Sequence, residues 1–84
     1  MDERKIDNLS VIFANYCMIY KEDNVLELNR LLNEWINEFY PEELKESNLI
    51  IKDNKLIVET KNLDMLSILK HIFSGKDYII LDNK

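Results

Sequence analysis

Leu49-Ile50-Ile51-Lys52, Asp53-Asn54 and Lys55-Leu56-Ile57-Val58-Glu59-Thr60 read in succession as a strand, a two-residue turn and a strand. Both flanks are rich in β-branched residues, and Asp and Asn tolerate the positive φ that a tight hairpin turn requires. The two-residue loop fixes the register: Lys52 opposes Lys55, Ile51 opposes Leu56, Ile50 opposes Ile57 and Leu49 opposes Val58. Directly opposed residues share a face, so Leu49, Ile51, Leu56 and Val58 form the expected core face. Ile50 and Ile57 fall on the other face, which either another element or another chain must cover.

Working outward from the hairpin, Asn62 stands where a helix N-cap is expected, and Met65, Leu66, Leu69, Ile72 and Phe73 follow at helical spacing. Gly75 is placed as the left-handed residue that ends this helix, and Lys70, His71 and Lys76 near that end complement its dipole. Tyr78-Ile79-Ile80-Leu81 is then a third strand, and the intervening helix is long enough to return it parallel to the second.

Upstream, Asn24 with Glu27 resembles a capping box opening a helix whose Val25, Leu28, Leu32, Trp35, Ile36 and Phe39 form one apolar face. Pro41 ends it, because proline has no amide hydrogen to give and crowds the preceding turn. Pro41-Glu42-Glu43-Leu44-Lys45 is suited to one further short turn. A first helix is expected from near Asp2 to about Tyr20, with Ile6, Leu9, Ile12, Phe13, Tyr16, Cys17 and Tyr20 at steps of three and four. Within it, Val11 to Tyr20 has one polar residue in ten, so Val11, Ala14, Met18 and Ile19 extend the stripe around most of the helix. The expected fold is a single α+β domain over residues 1–84, in the order α-α-β-β-α-β. The second and third helices cover one sheet face, and the first packs alongside.

The chain has 84 residues, 46% hydrophobic and 32% charged, with one glycine and one proline. A domain of this size buries only about 60% of its unfolded surface, so its stability is modest. One cysteine excludes an internal disulfide and points to a reducing, intracellular and cytoplasmic setting. No stretch has the length of a membrane span and none reads as a signal peptide, so no membrane partner is expected. Asn, Ile and Lys supply 30 of the 84 residues, a bias that fits AT-rich bacterial, phage or viral coding.

The net charge of −5 is unevenly distributed: residues 1–47 hold eleven acids against five bases, and residues 48–84 hold five against six. Phosphate backbones demand the opposite sign, which argues against direct binding of nucleic acid. Glu34, Glu38, Glu42, Glu43 and Glu46 line the solvent side of the second helix and its extension. They are the candidate partner-binding residues, as a solvated face or as a strip that mimics phosphates toward a nucleic-acid enzyme or replication protein. Glu27 with Arg30 and Arg30 with Glu34 have the spacing of surface ion pairs. Trp35, with Phe39 and Tyr40 behind it, is expected to be a core anchor.

For chemistry there is little material. His71 is the single histidine and has no cluster of ligands around it in sequence, so neither a metal nor any other cofactor is expected. A pair of Cys17 with His71 is the one route to nucleophilic catalysis, and Cys17 lies on the most apolar stretch, where burial raises a thiol pKa. No catalytic residue is therefore assigned.

From the second helix onward, Trp35, the hairpin Asp53-Asn54-Lys55-Leu56-Ile57-Val58 and the helical Met65, Leu66 and Leu69 form a pattern over residues 25–82. It resembles the small KH-like interaction domains of bacterial replication proteins, the DciA-type helicase loaders and the N-terminal domain of the DnaA initiator. Where the helicase loaders carry a glycine after the tryptophan and a basic surface, this chain has Glu38, Phe39 and Tyr40 and is acidic. The resemblance thus implies a fold used for docking onto replication proteins, and does not imply contact with DNA.

The expected function is a non-enzymatic interaction module, a small acidic regulator or inhibitor of another protein. The alternative is an assembly protein that pairs with itself as a homodimer. Its candidate apolar interface is Val11, Met18, Ile19, Ile50 and Ile57.

Overall fold

A computed structural model describes residues 3–19 and 24–83. Helix α1 spans Glu3–Ile19 and α2 Val25–Phe39, followed by a short 3-10 turn, Pro41–Leu44. Strands β1 (Asn48–Lys52) and β2 (Lys55–Thr60) form the hairpin, α3 spans Leu63–Phe73, and β3 is Ile79–Asn83. The order α-α-β-β-α-β is the one read from the sequence. The expected helix ends at Asp2 and Tyr20 lie outside the described residues.

The sheet has the order β1-β2-β3, with β1 antiparallel and β3 parallel to β2. The hairpin register is the one its loop dictates, from Lys52 opposite Lys55 to Leu49 opposite Val58. Asp53 and Asn54 have φ of 54° and 59°, the two successive left-handed residues of a type I′ turn, whose twist matches that of the strands.

α2 and α3 cover one face of the sheet, and α1 packs on α2 and α3. Leu28, Leu32, Trp35 and Ile36 from α2 meet Leu56 and Val58 from β2 and Met65, Ile68, Leu69 and Phe73 from α3, all buried. α1 contributes the buried Leu9 and Tyr16, with Phe13 edge-on to Phe73 at a ring separation of 4.8 Å. Trp35 is the expected anchor. Its indole N–H donates to the Lys5 carbonyl at 3.0 Å, so the ring is buried in the core and its one polar atom ties α2 to α1.

The caps follow the sequence. Asn24 Oδ1 accepts from the Glu27 amide at 3.3 Å, and Asn62 Oδ1 from the Met65 amide at 2.9 Å. Gly75 has φ of +79°, as expected, but Ser74 before it is already extended, at φ −57° and ψ 131°. With the Lys76 amide donating to the Phe73 carbonyl at 3.1 Å, Ser74 and Gly75 are the central residues of a type II turn. That turn, rather than a continued helical cap, redirects the chain into β3.

Three expectations are corrected. Cys17 is exposed, because it lies to one side of the stripe through Leu9, Ile12, Phe13 and Tyr16 that faces the core. Ile51 is on the core face by register but 37% exposed, since it lies near the end of an edge strand. Glu43 is half-buried rather than on a solvated strip, and accepts from Asn62 Nδ2 at 3.2 Å.

Where α1, α2 and α3 converge, Tyr40 donates from its hydroxyl to the Asp64 carboxylate, and Lys5 Nζ lies 3.6 Å from the same carboxylate and 4.2 Å from the centre of the Tyr40 ring. The Tyr40 hydrogen bond, helped by the Lys5 charge and opposed by burial, holds the Asp64 carboxyl below the usual aspartate range. A carboxyl whose pKa is lower folded than unfolded contributes stability above its unfolded value, and that contribution is lost as pH falls through the folded one. Asp64→Asn is therefore expected to lower the urea midpoint at pH 7 and to match the wild type in acid, below both values. A deficit that stayed constant from pH 7 to pH 2.5 would assign the effect to shape rather than charge.

Candidate functional site

Every large hydrophobic that α1 turns away from its neighbours is uncovered: Val11 is 60%, Met18 85% and Ile19 71% exposed. Val11, Ala14 and Met18 recur at helical steps opposite the buried Leu9 and Tyr16, so they form one outward stripe. The packing of α1 on two helices covers one side of this apolar segment and leaves the other bare.

The end of that stripe opens into a groove of about 420 Å³ between α1 and the C-terminal part of α2, lined by Arg4, Asp7, Asn8, Val11, Glu38 and Phe39. Two carboxylates, Asp7 and Glu38, there border an apolar floor of Val11 and the half-buried Phe39. Arg4 lines the same groove, and an apolar floor edged by carboxylates is suited to the aliphatic stem and charged head of a long basic side chain.

The acidic residues differ in their surroundings. Glu34 is bound to Arg30 at 2.7 Å, and Arg30 also engages Glu27, the ion pairs expected from the spacing. Glu42 and Glu43 line a second hollow of about 250 Å³ with Tyr40, Pro41 and Asn62. Glu43 is held there by Asn62, and Glu46 is exposed beyond the 3-10 turn. Of the five, Glu38 lines the groove with the exposed Val11.

The apolar candidates likewise divide. Val11, Met18 and Ile19 belong to the helical side, whereas Ile50 and Ile57 are on the face of the sheet turned away from α2 and α3. The parallel register adds Ile80, opposite Ile57, to that second surface. Its signal was present in the sequence, because a third strand parallel to the second puts one of its two consecutive isoleucines on each face.

His71 is exposed, near the end of α3. Among the described residues, no three His, Cys, Asp or Glu side chains are grouped to hold a metal ion, and no helix is long and apolar enough to cross a membrane. No family profile, curated protein or solved structure matches the chain.

Proposed function

We propose that the protein is a non-enzymatic interaction module that docks on a basic surface of another protein through the helical side described above. The observation that carries this is the groove in which Asp7 and Glu38 border Val11 and Phe39, continuous along α1 with the exposed Met18. Apolar area supplies the affinity of such contacts, and the acidic border supplies orientation and rate. Proteins that handle nucleic acid present basic surfaces of the required sign, which agrees with the docking role that the resemblance to replication interaction domains implies. The excess of acids in residues 1–47 adds long-range attraction in the same direction.

The test is affinity capture from cells of the source on immobilised wild-type protein, on Asp7→Lys/Glu38→Lys, and on Lys70→Glu as a control for charge changes elsewhere. A bound protein retained by the wild type and the control, and lost from the double variant, is the expected result. Equal retention on all three, or none on the wild type, would remove the groove from consideration.

A further inference from the structure

On the outer face of the sheet, the register places three rows of side chains across the strands. Ile50, Ile57 and Ile80 form the middle row, with Ile50 and Ile80 each 43% exposed. On one side of it is the pair Lys52 and Lys55, and on the other Asn48, Glu59 and Asp82, with Asn48 Nδ2 3.4 Å from Glu59 Oε1. Adjacent rows are two residues apart, roughly 7 Å. The face is therefore apolar through its centre, positive at one end and negative at the other.

A surface with that polarity is complementary to itself in one orientation. A two-fold axis along the isoleucine row reverses the strand direction of the second copy, lays isoleucine on isoleucine, and brings each lysine pair over the partner's acidic row. A two-fold axis along the strands would set lysine over lysine and acid over acid, which repel. We propose that a second copy of this chain covers the outer sheet face, about the axis along the isoleucine row, as an isologous two-sheet sandwich. Three strands of five or six residues present only about 250 Å² in projection, against roughly 800 Å² per partner in a standard interface. The dimer is accordingly weak. It uses the sheet side and leaves the groove between α1 and α2 open, so it does not depend on the function proposed above.

Sedimentation equilibrium from roughly 20 µM to 1 mM tests this, with circular dichroism to verify that each variant folds. The wild type should show a monomer–dimer equilibrium, and Ile80→Lys, altered at a position already exposed in the monomer, should weaken it at least tenfold. Lys52→Glu/Lys55→Glu should be monomeric. So should Glu59→Lys/Asp82→Lys, although that pair removes most of the net charge of −5 and would by charge alone favour association. All four substitutions together restore a face of opposite polarity and should restore the dimer. A wild type that stays monomeric to 1 mM would overturn the proposal. So would a dimer lost on Met18→Asp but retained by Ile80→Lys, since it would assign self-association to α1. Failure of the fourfold variant to dimerise, with its fold intact, would overturn the lysine-over-acid orientation.

Discussion

Trp35→Ala is expected to remove a large share of the domain's stability and to lower its urea midpoint by several molar at 25 °C. Truncating a buried tryptophan typically costs 3–5 kcal/mol. A domain of 84 residues is stable by roughly 4–13 kcal/mol in total. Trp35 has no exposed surface, is within 5.5 Å of the Tyr40 ring and 6.1 Å of the Phe39 ring, centre to centre, and donates to the Lys5 carbonyl. Its loss opens a cavity where α1, α2 and the residues leading to the hairpin converge. Urea denaturation followed by far-ultraviolet circular dichroism measures it, since the variant has no tryptophan left to fluoresce. Trp35→Phe keeps much of the volume and loses the indole donor, so its midpoint should fall between those of wild type and Trp35→Ala. A midpoint for Trp35→Ala within about 0.5 M of wild type would show that this cluster does not hold the domain together, given slopes of about 1 kcal/mol per molar urea in proteins of this size.

Leu9→Ala should have a comparable effect with a different distribution. Leu9 is fully buried and is, with Tyr16, the main point at which α1 enters the core, so its truncation costs about 2–5 kcal/mol. α1 packs chiefly on α2 and α3, whereas the remaining core of Leu32, Leu56, Val58, Leu69 and Phe73 is built between α2, α3 and the sheet. The helix that carries the outward stripe is thus the part that opens first. Native-state hydrogen exchange should show α1 amides of the wild type less protected than those of β2, and Leu9→Ala should accelerate the α1 amides thirty-fold or more. Equal protection of α1 and β2 in the wild type would mean that the fold opens only as one unit.

Most of the local structure was legible because local physics determines it. A two-residue Asp-Asn loop between β-branched runs admits one turn type and one register, and Asn24, Asn62 and Pro41 mark helix ends through hydrogen bonds made or refused within four residues. The apolar stripe of α2, from Val25 to Ile36, required only helical spacing to identify. Length and connection also sufficed for β3, since a strand that follows a helix after β2 returns parallel.

The candidate surfaces were less legible, because exposure is a property of neighbours that the sequence does not place. Val11, Met18 and Ile19 are as apolar as Leu9 and Ile12, and their exposure follows from α1 resting on two helices with nothing described on its far side. Cys17 is exposed for the same reason. Glu43 looks like Glu42 in sequence and differs because the 3-10 turn brings it to Asn62, nineteen residues away. Likewise, the Tyr40, Asp64 and Lys5 cluster joins three helices that no spacing rule connects. Turns, caps, stripes and the pairing register were thus determined by the sequence alone, through interactions that reach a few residues. Which stripes are covered, and that Asn62 engages Glu43 rather than Glu42, were decided only by tertiary packing, because burial depends on elements brought together from distant parts of the chain.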